Sequence, residues 1–384
     1  MTNTPPPEAQ FKTPGQLIQH LLDQKGWTQV VLSIVLGTDR TTLSKVIAGQ
    51  RPIDAEMALG LGEVFGVRAE QFMELQKSWD LAQARLKSMP DPGRTNRAHL
   101  FGDLPVAEMI KRGWLDADNV RDVANVETAL AKFFGAKSAA EIEFLPHAAK
   151  KTDVAGNATP AQLAWLYRVN QIATEMLVAK YSPNSMQRVI DELRPLRASA
   201  EGARKVPRIL AENGIRFVIV EALTGSKIDG VCFWLNETSP VIGMSLRYDR
   251  IDNFWFVLRH EIEHVIQRHG LVSKMLDAEL EGDRAGVGPN VPEEERIANQ
   301  AAADFCVPRR SLESFIERKS PFFAERDIIG FSRTMQIHPG LVAGQLQRNI
   351  GRYDRFRNHL VKIRSIVSPG SMVDGWGDVA PVGI

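Results

Sequence analysis

The stretch from Phe254 to Ile266 reads FWFVLRHEIEHVI and holds His260, Glu261 and His264 in the spacing H-E-x-x-H. Residues 251–269 contain no proline or glycine, and their apolar side chains recur at helical spacing, so we expect a helix with a buried face. On such a helix, residues 260 and 264 lie about 40° apart around the axis and about 6 Å apart along it. Two imidazoles can therefore reach one metal ion.

Glu261 follows the first histidine and is rotated from it by about 100° around the helix axis. A carboxylate there is close enough to take a proton from a water at the metal but is not placed as a ligand, so it suits a general base. The pattern predicts a Zn²⁺ site of the peptidase type. The alternative is a chance cluster on an ordinary amphipathic helix.

The composition indicates a globular protein of two or three domains, since 44% of the 384 residues are hydrophobic and 24% are charged. A formal net charge of +1 does not point to nucleic acid, membrane or acidic partners. Cys232 and Cys306 are the only cysteines, which excludes a disulfide framework and a cysteine-rich zinc finger. Without an apolar run of membrane-spanning length or a signal-peptide pattern, we expect a cytoplasmic protein that does not bind membranes.

Residues 13–85 show short helical segments separated by tight turns. After a first helix, a second runs from Thr28 to about Leu36 and a third from about Asp39 to Ala48. Gly37 supplies the turn between them, and Ser33 is small where the two helices must approach closely. This order predicts a helix-turn-helix.

The third helix presents short hydrogen-bonding and basic side chains, which suit base edges and phosphates in a major groove. The start of the second helix and the loop after the third are placed for phosphate contacts. The alternative is a helical bundle that contacts protein only, because residues 1–90 contain nine basic and nine acidic side chains. The candidate DNA-binding residues are Gln29, Arg40, Thr41, Thr42, Ser44, Lys45, Gln50 and Arg51.

Three runs in this region, 28–37, 43–51 and 58–76, resemble the XRE-type DNA-binding domain, in the branch that includes HigA-type antitoxins. The resemblance implies a five-helix domain at residues 1–90. Such a domain is expected to bind double-stranded DNA, as a homodimer on a palindromic operator.

Residues 91–200 are predicted to form a helical middle region, which serves as a spacer, a dimerisation surface or part of a substrate groove. Three β-rich runs follow, beginning at Ile215, Val231 and Val241, and Asp229-Gly230 is predicted to form the turn between the first two. We expect a short antiparallel sheet beside the H-E-x-x-H helix. One edge of that sheet could pair with an extended substrate.

A catalytic zinc needs a third protein ligand. The best candidates are Glu293, Glu294 and Glu295 at the start of the next predicted helix, although glutamates at a helix start are also stabilised by the helix dipole. Glu295 is favoured by its phase, because it shares a helix face with Asn299 and Ala302.

The run from Glu295 to Pro308, with its E-x-x-A-N signature, and the H-E-x-x-H motif together resemble the ImmA/IrrE family of metallopeptidases. The resemblance implies a zincin-like peptidase core at residues 201–310, followed by a C-terminal helical segment and flexible tail at 311–384. Family members usually have a small residue where Glu263 stands, so this carboxylate either shifts substrate preference or lies in solvent. The resemblance implies the zinc ligands His260, His264 and Glu295, the general base Glu261, and Asn299 as a residue that orients a ligand through a hydrogen bond.

The sequence thus predicts a mainly helical α+β protein that joins a DNA-binding domain to a zinc peptidase domain. We expect a transcriptional regulator that cleaves a partner regulatory protein, of the repressor or antitoxin type, in a stress, mobile-element or toxin–antitoxin circuit. The alternative is a DNA-binding antitoxin or sensor whose peptidase-like domain binds zinc or a small ligand and cleaves nothing. His269, His338 and Tyr353 are each open to two readings, as stabilisers of an oxyanion or as structural residues.

Overall fold

The computed structural model describes residues 11–88, 94–142, 158–271, 275–278 and 292–375. The chain separates into two units, Met1–Pro92 and Gly93–Ile384, and each unit has its own hydrophobic core. Within the described ranges, no helix combines the length and the apolar character needed to cross a lipid bilayer.

The first unit is a five-helix bundle, as the sequence predicts. Side-chain oxygens of Thr13, Thr28, Asp39 and Asp54 each accept a hydrogen bond from the backbone N–H three residues later, so the first four helices begin at capped residues. A Cβ atom on Gly15 would lie 2.0 Å from the carbonyl oxygen of Ile47, so glycine lets the first and third helices approach closely. The helices are α1 Pro14–Lys25, α2 Gln29–Val35, α3 Arg40–Ile47, α4 Ala55–Phe65 and α5 Ala69–Lys87.

The second unit is an α+β structure. Its described helices are α6 Arg94–Asp103, α7 Val106–Lys111, α8 Val123–Phe134, α9 Pro160–Glu175, α10 Met186–Leu193, α11 Val206–Glu212, α12 Ile251–Ile266, α13 Glu293–Cys306, α14 Arg309–Lys319, α15 Glu325–Met335, α16 Pro339–Ile350 and α17 Arg364–Val367. Its described strands are β1 Arg216–Val220, β2 Ile228–Trp234, β3 Pro240–Met244, β4 Met275–Ala278 and β5 Met372–Asp374.

The five strands form one mixed sheet in the order β4-β2-β3-β1-β5. Strand β2 runs antiparallel to β3 and β4, whereas β1 runs parallel to β3 and β5. The prediction of an antiparallel sheet is therefore wrong for the pairs that involve β1. Strand β3 lies between β1 and β2. The chain returns to the sheet near the C-terminus and adds β5 to the other side of β1, so the β1–β5 pair joins distant segments.

Both faces of the sheet are covered by helices. Along β1, Phe217 and Ile219 pack into the core around α12, while Val218 and Val220 pack into a second core built with α8 and α9. Trp165 of α9 donates a hydrogen bond from Nε1 to the carbonyl oxygen of Val220, at 2.8 Å. The helical residues that the sequence assigns to a middle region thus share a core with the sheet and belong to the second unit.

Asp229 and Gly230 do not form the predicted turn, because both lie inside β2. The carboxylate of Asp229 is buried and lies 3.2 Å from Nε of Arg247. Thr224 and Gly225 form the turn instead, with Gly225 in the left-handed region at φ 81°. An Asp-Gly pair favours a turn locally. Here a neighbouring helix packs so close to β2 that the strand needs a glycine at this position.

The region predicted as a flexible tail contains β5, and only its last residues, 376–384, lie outside the described ranges. Asp374 at the end of β5 is buried and forms an ion pair with Arg168 of α9. The ion pair joins the C-terminal strand to a helix more than two hundred residues earlier.

We predict that Asp374→Ala destabilises the second unit by about 3–5 kcal/mol, because it leaves the guanidinium of Arg168 buried without its carboxylate. Chemical unfolding of the full chain measures the change. Asp354→Ala is the matched control, since the Arg352–Asp354 pair is largely exposed, and it should leave stability unchanged. Equal effects from the two substitutions would contradict the docked position of β5.

Candidate functional site

Helix α12 is buried along almost its whole length, with every residue from Ile251 to Val265 inaccessible or nearly so. It packs against β2, β3, α13 and α16. Its apolar residues lie in the core as the helical spacing predicts. Its ionisable residues are also buried, so each must be stabilised by a partner within the protein.

Three side chains converge beside this helix. The Nε2 atoms of His260 and His264 lie 3.0 Å apart. Glu295, in the first turn of α13, places one carboxylate oxygen 3.3 Å from Nε2 of His260 and the other 3.4 Å from Nε2 of His264. Both imidazoles are fully buried, and the Glu295 side chain is 16% exposed. The carboxylate of Glu295 thus lies beside both imidazoles, and its role as a metal ligand stays a prediction.

The spacing of these donor atoms fits a tetrahedral zinc. Bonds of about 2.0–2.1 Å to a tetrahedral ion place ligand atoms about 3.3–3.4 Å from one another. The two Nε2 atoms are 3.0 Å apart, and each lies 3.3 or 3.4 Å from a different carboxylate oxygen of Glu295, so these separations lie near this range. Two imidazoles and one carboxylate are a donor set that catalytic zinc sites use. The residues present therefore fit a zinc ion with a fourth position left for another ligand.

Small residues on α13 bring Glu295 to this position. Ala298 and Ala302 follow it at helical spacing and are fully buried, and Ala302 packs in the core that contains α12. Asn299, one turn after Glu295, has a buried Oδ1 atom that accepts no hydrogen bond within the described residues. Its predicted role in orienting a ligand stays a prediction.

The carboxylate of Glu261 lies against strand β2 of the sheet. Its side chain is fully buried, and a Cβ atom on Gly230 of β2 would lie 2.0 Å from its Oε1 atom. The carboxylate thus occupies space above β2 that only a glycine leaves free. The sequence analysis missed this role of Gly230, although a glycine within a strand pattern indicates close approach by another group.

Glu263 does not lie in solvent, which was one of the two outcomes expected for it. It is 7% exposed and accepts hydrogen bonds from Arg259, at 2.7 Å, and from Gln267, at 2.8 Å. Burial alone would raise the pKa of Glu263, but the hydrogen bonds from Gln267 and Arg259 outweigh it and lower that pKa below its ordinary value. The carboxylate is thus paired within its own helix.

His338 and Tyr353, two of the residues considered above as oxyanion stabilisers, lie in different surroundings. His338 is the N-cap of α16, where its Nδ1 atom accepts a hydrogen bond from the Gly340 N–H at 3.0 Å. Burial, and then the neighbouring His359, lower the pKa of His338. This contact gives His338 a structural role. Tyr353 lines a small cavity together with Arg250, beside α12.

The candidate DNA-binding residues lie on one end of the first unit, around α3. Arg40, Thr41, Ser44 and Lys45 are exposed on α3. Exposed Gln50 and Arg51 follow it, and Gln29 is partly buried at the start of α2. The Thr42 hydroxyl is partly buried and accepts a hydrogen bond from Nη1 of Arg51 at 3.3 Å.

Comparison with known proteins identifies the first unit. Residues 18–72 match the helix-turn-helix family model. Over 76 residues the chain is 29% identical to the uncharacterized HTH-type transcriptional regulator YddM of Escherichia coli (strain K12), which covers 20% of this chain and 81% of YddM. The first unit therefore contains a helix-turn-helix region, as the sequence predicts.

We predict that Gly230→Ala moves the Glu261 carboxylate while leaving the fold intact, because the new methyl group meets the end of a side chain rather than backbone. A crystal structure of the variant should show the carboxylate displaced by 1 Å or more, on the order of the overlap that a 2.0 Å approach creates. Gly330→Ala is the matched control, since its new methyl group meets nothing within 4 Å. An unmoved Glu261 beside Ala at position 230 would contradict the placement.

Proposed function

We propose that this chain is a DNA-binding transcriptional regulator that carries a zinc-dependent peptidase site in its second unit. The observation that carries the peptidase part is the spacing of the donor atoms of His260, His264 and Glu295. The Glu261 carboxylate is buried on α12, the helix that carries the two histidines. The regulator part is supported by the helix-turn-helix match and by the name of the YddM protein.

The electrostatics of α3 support DNA as the partner of the first unit. Arg40, Lys45 and Arg51 are exposed. The acidic residues nearest to them in sequence, Asp39 and Asp54, are engaged as the N-caps of α3 and α4. The Asp39 carboxylate accepts a hydrogen bond from the Thr42 N–H at 2.7 Å, and hydrogen bonds from Thr42 lower the pKa of Asp39. The cations can therefore meet phosphates, and the short hydroxyl side chains between them can reach base edges. A homodimer on a palindromic operator would double this surface.

In the second unit, each residue would have a distinct task in peptide hydrolysis. When bound, zinc supplies Lewis acidity and lowers the pKa of a coordinated water toward about 7. His260, His264 and Glu295 would hold the ion. Glu261 would accept the proton of the attacking water and pass it to the leaving amine. The Glu261 carboxylate fits into the space that Gly230 leaves beside β2. The base would therefore already be oriented before substrate binds.

The substrate class follows from the resemblance to ImmA/IrrE metallopeptidases. By that resemblance, the substrate would be a partner regulatory protein of the repressor or antitoxin type, in a stress, mobile-element or toxin–antitoxin circuit. A DNA-binding unit in the same chain would bring the peptidase site to proteins assembled at an operator.

A second candidate function is a regulator that senses zinc or a small ligand and cleaves nothing. The observation that favours it is burial, since His260, Glu261 and His264 have no solvent exposure. Glu295 is the only member of the cluster with an exposed side-chain fraction. A buried zinc site can stabilise one conformation of a regulator without acting on a polypeptide.

We predict that the purified chain binds about one Zn²⁺ and that His264→Ala loses it, while Glu261→Gln keeps the metal and loses proteolysis of the partner. Elemental analysis gives the zinc content, and immunoblots of the regulated protein in cells follow cleavage. His20→Ala, which removes a histidine of the first unit, is the control for zinc content. Unchanged regulation with Glu261→Gln would overturn the peptidase function in favour of the sensor. A metal-free native chain would overturn the zinc site and the peptidase function, and would leave only a sensor of a small ligand.

We predict that Arg40→Ala combined with Lys45→Ala weakens binding to the promoter region of the chain's own gene by about tenfold or more, because two contacts from α3 are lost. The slope of log affinity against log salt should also fall by about one for each phosphate contact removed. Electrophoretic mobility shifts at several salt concentrations measure both. Arg85→Ala with Lys87→Ala removes the same charge from the end of α5 and serves as the control, and equal losses from both pairs would contradict a specific role for α3.

A further inference from the structure

We infer that His269 is a positioning residue, which fixes the tautomer and the ring orientation of the zinc ligand His264. The Nδ1 atoms of the two imidazoles lie 2.9 Å apart, at hydrogen-bond distance. The inference rests on the proposed zinc site and adds to it a residue outside the three ligands and the base.

The end of α12 brings the two rings together. Arg268 adopts the left-handed conformation at φ 59°. The His269 N–H then donates to the carbonyl oxygen of His264 at 2.8 Å, and the Arg268 N–H donates to that of Val265 at 3.1 Å. This pair of hydrogen bonds is a Schellman motif, which reverses the chain direction. The reversal places the His269 side chain beside the last turn of the helix, where His264 lies.

Strand β2 holds this reversed segment independently of the His269 ring. Nε1 of Trp234 donates to the carbonyl oxygen of His269 at 2.9 Å. A Cβ atom on Gly270 would lie 2.6 Å from the carbonyl oxygen of Cys232, so the segment passes very close to the strand. The backbone of His269 is therefore fixed by β2 and by α12, and its imidazole is available for a different task.

The proton positions follow from the directions of the nitrogen atoms. Nε2 of His264 faces His260 and Glu295, so a metal there requires a lone pair on Nε2 and a proton on Nδ1. That Nδ1–H then donates to Nδ1 of His269. The reverse hydrogen bond would put the proton of neutral His264 on Nε2 and block the metal. A His269 that accepts at Nδ1 therefore selects the tautomer that binds zinc.

The same assignment leaves the other nitrogen of His269 protonated. Its Nε2 atom lies 3.9 Å from a carboxylate oxygen of Glu294, the neighbour of Glu295 at the start of α13. The negative charge of this carboxylate on the Nε2–H side favours the tautomer with the free lone pair on Nδ1. Because Nδ1 of His269 meets His264 on the ring edge away from the ligand cluster, His269 is not placed as a further ligand of that cluster.

The test compares His269→Leu with His269→Gln in the full chain. Leucine offers no acceptor, so zinc affinity should fall by about 10–100-fold, whereas the amide oxygen of glutamine can accept the Nδ1–H and should restore affinity to within a few-fold of native. Competition with a chromophoric chelator measures the affinities. Nitrogen-detected NMR of the zinc-loaded chain should show a slowly exchanging Nδ1–H of His264 in the native and glutamine forms only.

His20→Leu, a change at a partly buried histidine of the first unit, controls for nonspecific effects, and circular dichroism should show equal helix content in all variants. Native-strength zinc binding by His269→Leu would overturn this inference and leave the zinc site standing. Equal weakening by leucine and glutamine would also overturn it, since the loss would then not depend on the acceptor. A native chain that binds no zinc would overturn the site and the inference together.

Discussion

Burial of α12 is the constraint on which the rest of the second unit depends. This helix carries two histidines, two glutamates and an arginine between residues 259 and 264. Burying these groups costs free energy unless each of them meets a partner. Glu263 meets Arg259 and Gln267 on the same helix. His260 and His264 instead face a carboxylate from another helix. The Glu263 side of the helix is therefore paired with neighbours in the same stretch of chain, whereas the histidine side is paired with a group from α13.

Strand β2 supports the candidate centre at two points. Gly230 leaves the space that the Glu261 carboxylate fills, and the Trp234 indole donates to the carbonyl of His269. Strand β2 is paired on both sides, by β3 and β4, so it is a rigid reference for both groups. Positioning by a paired strand and a buried helix is more precise than positioning by loops, which suits a site that must hold an ion and a base at fixed separation.

Local signals in the sequence predict the main helices and the grouping of His260, His264 and Glu295. The spacing of His260 and His264 and the phase of Glu295 are consequences of helical geometry, which acts over a few residues. Local signals did not predict the pairing of the strands or the contacts by which β2 supports the site. The parallel pairing of β1 with β5 depends on a strand at Met372, far along the chain, and the role of Gly230 depends on a helix that arrives later in the sequence. The contact between His269 and His264 required a left-handed arginine, which few sequence rules anticipate.

X-ray absorption spectroscopy of the zinc-loaded full chain tests the central claim, that His260, His264 and Glu295 hold a zinc ion, most directly. The spectrum should contain the multiple-scattering signature of two imidazoles and nitrogen or oxygen neighbours at about 2.0–2.1 Å. Both cysteines are buried away from this cluster in the described structure, so no sulfur neighbour is expected. A sulfur shell at about 2.3 Å, or a shell of oxygens without imidazole scattering, would contradict the account.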